Sequence, residues 1–279
     1  MLSSRLSGLG ADLADLVLPG ACAGCGAERE PLRLGVCAGC VAALEALTPF
    51  PTTPVPPPPG MPACVAVGAY AGPLRGVLLA YKEKGRHRLA RPLGSLLAVA
   101  VAEAAARAGA GPGEPLRLLP VPSTAGAARE RHGDHMARLA THTVRRLRAT
   151  GWNAVVTQPL RALPRPDSAS LDVAGRAIAA ENSLRIKDAR IRISRRRPAP
   201  RGTLIVVDDI VTTGATLAAV TRRLREADMQ VTAAAVVAAT RLRRGPAAEG
   251  ARGHIGPGPR PKVTRSIPRT RGDGRASAG

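Results

Sequence analysis

The stretch that decides the fold is VVDDIVTTGAT, residues Val206–Thr216. An apolar strand predicted over 201–209 brings Asp208 and Asp209 to its carboxyl end. The small-residue loop that follows opens a helix predicted over 215–228. Because open α/β sheets hold their ligands at the carboxyl ends of the strands, this turn is the predicted ligand site.

The residues of the turn suit a phosphate group. Backbone N–H groups at a helix start, backed by the helix dipole, attract anions, and glycine allows close approach to the backbone. The carboxylates of Asp208 and Asp209 suit sugar hydroxyls instead, so the sequence predicts a sugar phosphate as ligand. The alternative is a buried strand whose turn holds only helix-capping threonines. The candidate phosphate-binding residues are Thr212, Thr213, Gly214, Ala215 and Thr216.

No GxxxxGK[ST] run occurs in the chain, which excludes the nucleotide P-loop. From residue 63 onward, apolar runs of strand length alternate with helical patterns. This alternation predicts an α/β fold with a mostly parallel sheet flanked by helices. The further strands are predicted at 63–70, 116–122, 154–160 and 230–240, and the further helices around 74–81, over 89–108 and over 134–149.

Four cysteines in two CxxC pairs precede this region: Cys22 with Cys25, and Cys37 with Cys40. Two such knuckles can place four thiolates tetrahedrally around one zinc ion, which leaves no open position for catalysis. The segment is too small to bury a core, so the metal would supply its folding energy. A redox pair and two structural disulfides are the alternatives. We expect Cys64, at the start of a predicted strand, to be a small buried apolar residue.

These patterns divide the chain into five segments. The run PFPTTPVPPPPGMP predicts an extended proline-rich linker and the clearest domain boundary. In order, the segments are an N-terminal amphipathic helix (1–18), a four-cysteine zinc element (19–48), the linker (49–62), the main α/β domain (63–243) and a basic disordered tail (244–279).

Composition excludes several classes of protein. The 279-residue chain is 45% hydrophobic, which rules out wholesale disorder, and 1% aromatic, which disfavours a nucleic-acid module built on base stacking. It has no run of about 18 apolar residues, so no membrane span is expected. Asp12 and Asp15 interrupt the apolar N-terminal stripe, which is wrong for a secretory signal. We therefore expect a cytoplasmic protein.

The net charge of +21 is uneven. Residues 184–201 contribute +7 and the residues after Thr240 contribute +8. Such basic segments predict a mobile loop and a tail that attract nucleic acid or phosphorylated metabolites in an unspecific, salt-sensitive way. The alternative for the tail is a solvated extension with no dedicated partner.

The run Val206–Thr216 resembles the phosphoribosyl-pyrophosphate (PRPP) motif of type I phosphoribosyltransferases. With the cysteine element ahead of it, the chain resembles the ComF competence-protein family over roughly residues 19–243. Further landmarks match in order: Tyr81-Lys82 with Gly85, Leu119–Ser123, Arg129–His135, and Arg176 followed by Asn182. In three respects the chain differs from the family: His132 separates arginine from glycine, a glutamine before Arg176 is absent, and the gap to Asn182 is longer.

The resemblance implies PRPP as ligand together with Mg²⁺. Residues 212–216 would hold the 5-phosphate, and Asp208 and Asp209 the ribose hydroxyls, directly or through water and metal. The candidates for the pyrophosphate side are Ser123, Arg129 and Arg131.

Three functions remain open at this point. One is phosphoribosyl transfer to an unidentified base or amine acceptor. Another is a PRPP-binding module without turnover that serves DNA uptake beside competence-machinery proteins, as the family's association with competence implies. The third is a zinc-ribbon nucleic-acid binder.

Overall fold

The computed structural model describes residues 20–130, 133–163, 183–187 and 202–240. The predicted N-terminal helix, the tail, Arg131 and the Arg176–Asn182 landmark lie outside these ranges, as does most of the basic 184–201 segment.

The cysteine-bearing segment contains more regular structure than its size suggested. Strand β1 (Leu32–Arg33) pairs with β2 (Val36–Cys37) in an antiparallel hairpin, and helix α1 (Ala38–Glu45) follows directly. Its buried residues belong to the same apolar core as those of the main sheet. Packing against the domain, and not a metal alone, therefore helps to hold this element.

Next come the strands and helices of the main sheet, in chain order. They are β3 (Phe50–Thr52), β4 (Cys64–Ala69), α2 (Gly72–Glu83), α3 (Ala90–Arg107), β5 (Pro115–Pro120), α4 (Ala125–Glu130), α5 (His135–Ala149), β6 (Asn153–Val156), β9 (Thr203–Val211), α6 (Ala215–Arg225) and β10 (Ala233–Ala239). A separate antiparallel pair joins β7 (Leu160–Ala162) to β8 (Leu184–Ile186).

The main sheet has the strand order β3-β4-β10-β9-β5-β6. Every neighbouring pair is parallel except β3 with β4. Apolar side chains of β9 and β10 alternate between two buried clusters, one on each face of the sheet. Helices α2, α3 and α5 contribute to one cluster and α6 to the other. The predicted mostly parallel sheet with flanking helices is confirmed.

Three local differences from the sequence prediction have physical causes. Phe50–Thr52, inside the predicted linker, form an edge strand, a position in which Pro51 is tolerated because an edge strand has one unpaired side. Residues 154–160 divide between β6 and β7 near Pro159, which has no N–H to donate. Strand β9 continues to Val211, so the acidic pair lies within the strand and not at its last residues.

Two buried features follow the apolar pattern. Cys64 is 4% exposed, as expected of a small core residue, and burial raises the pKa of its thiol to about 12, with the nearby Asp208 charge adding to the rise.

Among the described residues, one helix, His87–Arg107, is long and apolar enough to cross a membrane. Its buried side chains pack against the sheet and α5, as those of a core helix do.

Candidate functional site

The carboxyl ends of β4, β10, β9 and β5 meet at one edge of the sheet because these strands are parallel. Backbone hydrogen bonds continue past the strand ends, from Tyr70 N to Ala239 O (2.8 Å) and from Thr240 N to Val211 O (3.0 Å). Strand β5 stops pairing where Pro120 lies opposite Val207. The next residues of β9 therefore border the loop that leaves β5.

Asp209 is buried and carries two partners on one carboxylate oxygen. Its Oδ2 lies 2.9 Å from Lys82 Nζ and 3.2 Å from His135 Nε2. Burial opposes ionisation, but the His135 hydrogen bond and the Lys82 charge outweigh it and lower the pKa of Asp209. Asp209 is thus an ionised carboxylate already held by the protein.

Asp208 is in a different environment, because successive side chains of a strand point to opposite faces. It is partly buried, and its Oδ1 accepts a hydrogen bond from the backbone N–H of Asp209 (2.9 Å). Burial and the neighbouring Asp209 charge raise the pKa of Asp208 to about 8. The two carboxylates predicted to act together are therefore distinct: Asp209 is paired with Lys82 and His135, whereas burial and the Asp209 charge oppose the ionised form of Asp208.

The turn after β9 forms the predicted helix start. Gly214 is the residue before α6 and has a left-handed backbone (φ 74°) that favours glycine. Thr212 is exposed, whereas Thr213, Ala215 and Thr216 are partly buried. The first N–H groups of a helix lack carbonyl partners within it. Ala215 N donates to Thr213 Oγ1 (3.4 Å), and the N–H groups that follow it are the candidate donors at the sheet edge.

The space beside Gly214 has another occupant than the one expected. A Cβ at this position would lie 2.4 Å from Met61 Sδ and 3.2 Å from Pro54 Cγ. The missing side chain thus makes room for the proline-rich segment, whereas we expected it to admit a phosphate. The N–H groups of the turn are a separate feature and remain the candidate phosphate donors.

The loop after β5 brings one of the three pyrophosphate-side candidates to this edge. Ser123 is partly exposed, and its Oγ lies 3.4 Å from His135 Nδ1. Arg129 is exposed on α4, and Arg131 lies outside the described residues. Of the three candidates, Ser123 is therefore the one that the described residues connect to the acidic pair, through His135, which contacts Asp209.

Two contributors to the site had no assigned role from the sequence: Lys82 and His135. Lys82 stands near the end of α2, next to the buried Tyr81, whose Oη donates to His135 O (2.6 Å). His135 begins α5 after the capping residue Asp134, which accepts from Ala137 N. The sequence offered one signal for His135: it is a polar residue directly after a helix cap, in a helix that packs against the sheet.

The four paired cysteines converge. Their Sγ atoms all lie within 4.8 Å of one another, and Cys25 Sγ lies 3.8 Å from Cys37 Sγ. Tetrahedral zinc with Zn–S bonds of about 2.3 Å requires sulfur separations of about 3.8 Å. None of the five cysteines forms a disulfide. The cluster can hold a metal ion of this kind.

Backbone donors at the first knuckle favour a thiolate. Gly24 N (3.4 Å) and Cys37 N (3.3 Å) both donate to Cys22 Sγ. Burial by itself would raise the pKa of the Cys22 thiol. These donors and the N–H of Cys25 outweigh that effect and lower the pKa to about 6. Burial and the adjacent sulfurs raise the pKa of the Cys40 thiol. A cation would relieve this crowding of four sulfurs, so the donor set fits zinc.

The first knuckle also packs directly on α2. A Cβ at Gly76 would lie 2.3 Å from Gly24 O and 2.7 Å from Ala23 O. Beyond the end of α2, Arg86 Nη1 donates to Ala21 O (2.9 Å). The cysteine element therefore contacts the helix that supplies Lys82 at Gly76 and the segment after that helix at Arg86.

Comparison with known proteins agrees with this arrangement. The family model described as "Phosphoribosyl transferase domain" matches residues 168–252. No curated protein matches the chain. The matched segment contains β9, the turn and α6, so the chain is similar to phosphoribosyl transferase domains along the part that carries the acidic pair and the candidate phosphate donors.

Proposed function

We propose that this chain binds PRPP with Mg²⁺ at the carboxyl edge of its sheet and transfers the phosphoribosyl group to an unidentified base or amine. The observation that carries the proposal is the unit β9–turn–α6. Within the segment similar to phosphoribosyl transferase domains, a strand that carries Asp208 leads into a left-handed glycine that opens a helix.

The residues divide between the parts of the ligand. The N–H and hydroxyl groups of residues 212–216 would hold the 5-phosphate. Asp208 would accept from the ribose hydroxyls, and its carboxylate oxygens are the ligands that Mg²⁺ prefers. A nearby cation would favour the ionised form that the protein alone disfavours, so Asp208 fits this role. Bound Mg²⁺ would neutralise charge on the departing pyrophosphate.

The chain's own contribution to the reaction is electrostatic. Departure of pyrophosphate leaves an oxocarbenium-like ribose, which a carboxylate at the sheet edge would stabilise. Ser123 and the arginines of the following segment, Arg129 and Arg131, are candidates for the pyrophosphate side. Binding both ends of PRPP would position the ribose for attack by the acceptor.

Calorimetry with PRPP and Mg²⁺ tests the binding step. Wild type should show saturable binding, and Asp208→Asn should abolish it or weaken it at least tenfold. Asp228→Asn is the matched control, because Asp228 is exposed past α6 and its left-handed backbone (φ 58°) tolerates asparagine. Equal affinity for Asp208→Asn and the control would refute the assignment.

A second candidate function is PRPP binding without turnover, as a regulatory or DNA-uptake module beside competence-machinery proteins. It is favoured by Asp209, whose carboxylate is already engaged by Lys82 and His135. The resemblance to the ComF family supports the association with DNA uptake. Pyrophosphate release in the presence of PRPP and a panel of bases and amines separates the two, because only the transferase releases it.

The cysteine cluster is proposed as a structural zinc site, and a site of four thiolate ligands fits the proposed cytoplasmic location. Nucleic-acid binding through the basic tail would be unspecific. A zinc-ribbon nucleic-acid binder predicts that binding survives when Asp208 and Asp209 are changed to asparagine. Loss of PRPP binding without loss of nucleic-acid binding in that double variant would establish two separate activities.

A further inference from the structure

The segment between β3 and β4 is a loop that the sheet closes at its base. Thr52, the last residue of β3, pairs with Cys64, the first residue of β4. Residues 53–63 therefore leave the sheet and return to the same place. Six of these eleven residues are proline, whose fixed φ stiffens the chain. We call this segment the proline-rich loop.

Two residues of the proline-rich loop lie against the phosphate turn, residues 212–216. A Cβ added at Gly214 would meet Met61 Sδ first, and then Met61 Cε and Pro54 Cγ, each at 3.2 Å. Pro54 is buried and Met61 is partly buried, whereas most residues between them are exposed. Met61 also packs against the apolar cluster to which α6 contributes. These two side chains thus fill the space that the absent side chain of Gly214 leaves.

The phosphate turn consequently has two different sides. Gly214 is buried against the proline-rich loop, whereas Thr212 is exposed and Thr213 and Thr216 are partly exposed. A ligand can approach the turn from the exposed side. The left-handed backbone of Gly214 (φ 74°) sets the direction of the N–H groups that follow it. A side chain packed against Gly214 therefore constrains those donors from behind.

We propose that Met61 is a positioning residue: its thioether packs behind Gly214 and holds the N–H groups of the phosphate turn in the orientation that binds the 5-phosphate of PRPP. This rests on the proposed function. Methionine suits the place because its unbranched, flexible side chain fits against an irregular backbone surface. Removal of a packed side chain leaves a cavity into which neighbouring groups relax, so the turn would shift. The proline-rich loop is then part of the site as well as a connection.

Calorimetry of the full-length chain with ribose 5-phosphate tests the effect on affinity, because this probe carries the phosphate and lacks pyrophosphate. Met61→Ala should weaken binding about threefold to tenfold, as misalignment of one hydrogen bond does. Met61→Leu, which conserves the volume of the side chain, should bind within about twofold of wild type. Equal losses in the two variants would contradict a role in packing.

Met229→Ala is the matched control. Met229 belongs to the same apolar cluster, is 8% exposed and lies just after α6. This variant removes the same side chain from a more buried place, so it should lower Tm at least as much as Met61→Ala. Its affinity for ribose 5-phosphate should equal that of wild type. If affinity followed Tm in both variants, or if Met61→Ala bound like wild type, the proposal would be overturned.

A ligand-free measurement distinguishes failure of this inference from failure of the proposed function. The N–H of Ala218 donates to Gly214 O (3.0 Å), so its hydrogen exchange reports on the turn. Met61→Ala should speed this exchange at least about threefold relative to N–H groups later in α6, whereas Met61→Leu and Met229→Ala should not. If wild type binds neither PRPP nor ribose 5-phosphate, the proposed function fails while the exchange rate still judges the contact. Unchanged exchange in Met61→Ala would refute the inference even where PRPP binds.

Discussion

The contact between α2 and the cysteine element gives the sharpest prediction. Gly76 lies inside α2, and an added Cβ would come 2.3 Å from Gly24 O and 2.7 Å from Ala23 O. An ordinary carbon–oxygen contact is about 3.3–3.6 Å, so Gly76→Ala must push the carbonyl oxygen of Gly24 away by at least about 1 Å and that of Ala23 by at least about 0.6 Å. Carbonyl oxygens of a packed knuckle cannot rotate aside as a side chain can.

The magnitude follows from two opposing effects. Overpacking a close contact costs about 1–3 kcal/mol, whereas replacing glycine by alanine inside a helix gains about 0.5–1 kcal/mol. The net loss of unfolding free energy should be about 1–2 kcal/mol, a decrease in Tm of about 2–8 °C for a domain of this size. The Gly76→Ala variant should also lose zinc faster to a chelator, because Gly24 packs against Cys40 Sγ.

Gly39→Ala is the matched control. Gly39 is an exposed residue of α1, and its added Cβ would meet no atom within 4 Å. This variant should be as stable as wild type or slightly more stable. Thermal unfolding with zinc present and chelator competition should be measured on all three proteins. If the two alanine variants had equal Tm and equal zinc loss, the packing of the cysteine element on α2 would be refuted.

Three other perturbations test the remaining parts of the site. Cys40→Ser should lower the zinc content from about one ion per chain to nearly none by atomic emission, while Cys64→Ser, outside the cluster, should keep it. Asp208 has a raised pKa, so its contribution to the free energy of unfolding is present at low pH and is lost as pH rises toward about 8. Asp208→Asn should remove this part of the pH dependence of stability, measured by urea unfolding. An unchanged pH profile in the variant would contradict the raised pKa. Lys82→Met leaves the carboxylate of Asp209 with one partner fewer. Breaking a fully buried ion pair costs about 3–5 kcal/mol of unfolding free energy, and the loss here should be at most that, because the Lys82 side chain is 24% exposed and solvent screens the charge. Adding Asp209→Asn should restore most of the loss, and no recovery would argue against the ion pair.

The sequence alone determined the local units. Aliphatic residues before the acidic pair and small residues after it predicted β9, the turn and α6, because strand and helix periodicities are local properties. Paired CxxC spacing predicted four converging sulfurs for the same reason. Alternation of strands and helices predicted the parallel sheet. The right-handed crossover between parallel strands restricts the strand orders that such a sheet can have.

Only the tertiary structure decided which groups meet. His135 reaches Asp209 across 74 positions of the chain, and no local pattern records that contact. The same holds for Met61 beside Gly214, and for the carbonyls of the first knuckle against Gly76. Strand pairing and helix packing set these neighbours, so the two adjacent carboxylates, alike in sequence, acquire opposite pKa shifts. Asp209 contacts Lys82 and His135, whereas burial and the charge of Asp209 both oppose ionisation of Asp208.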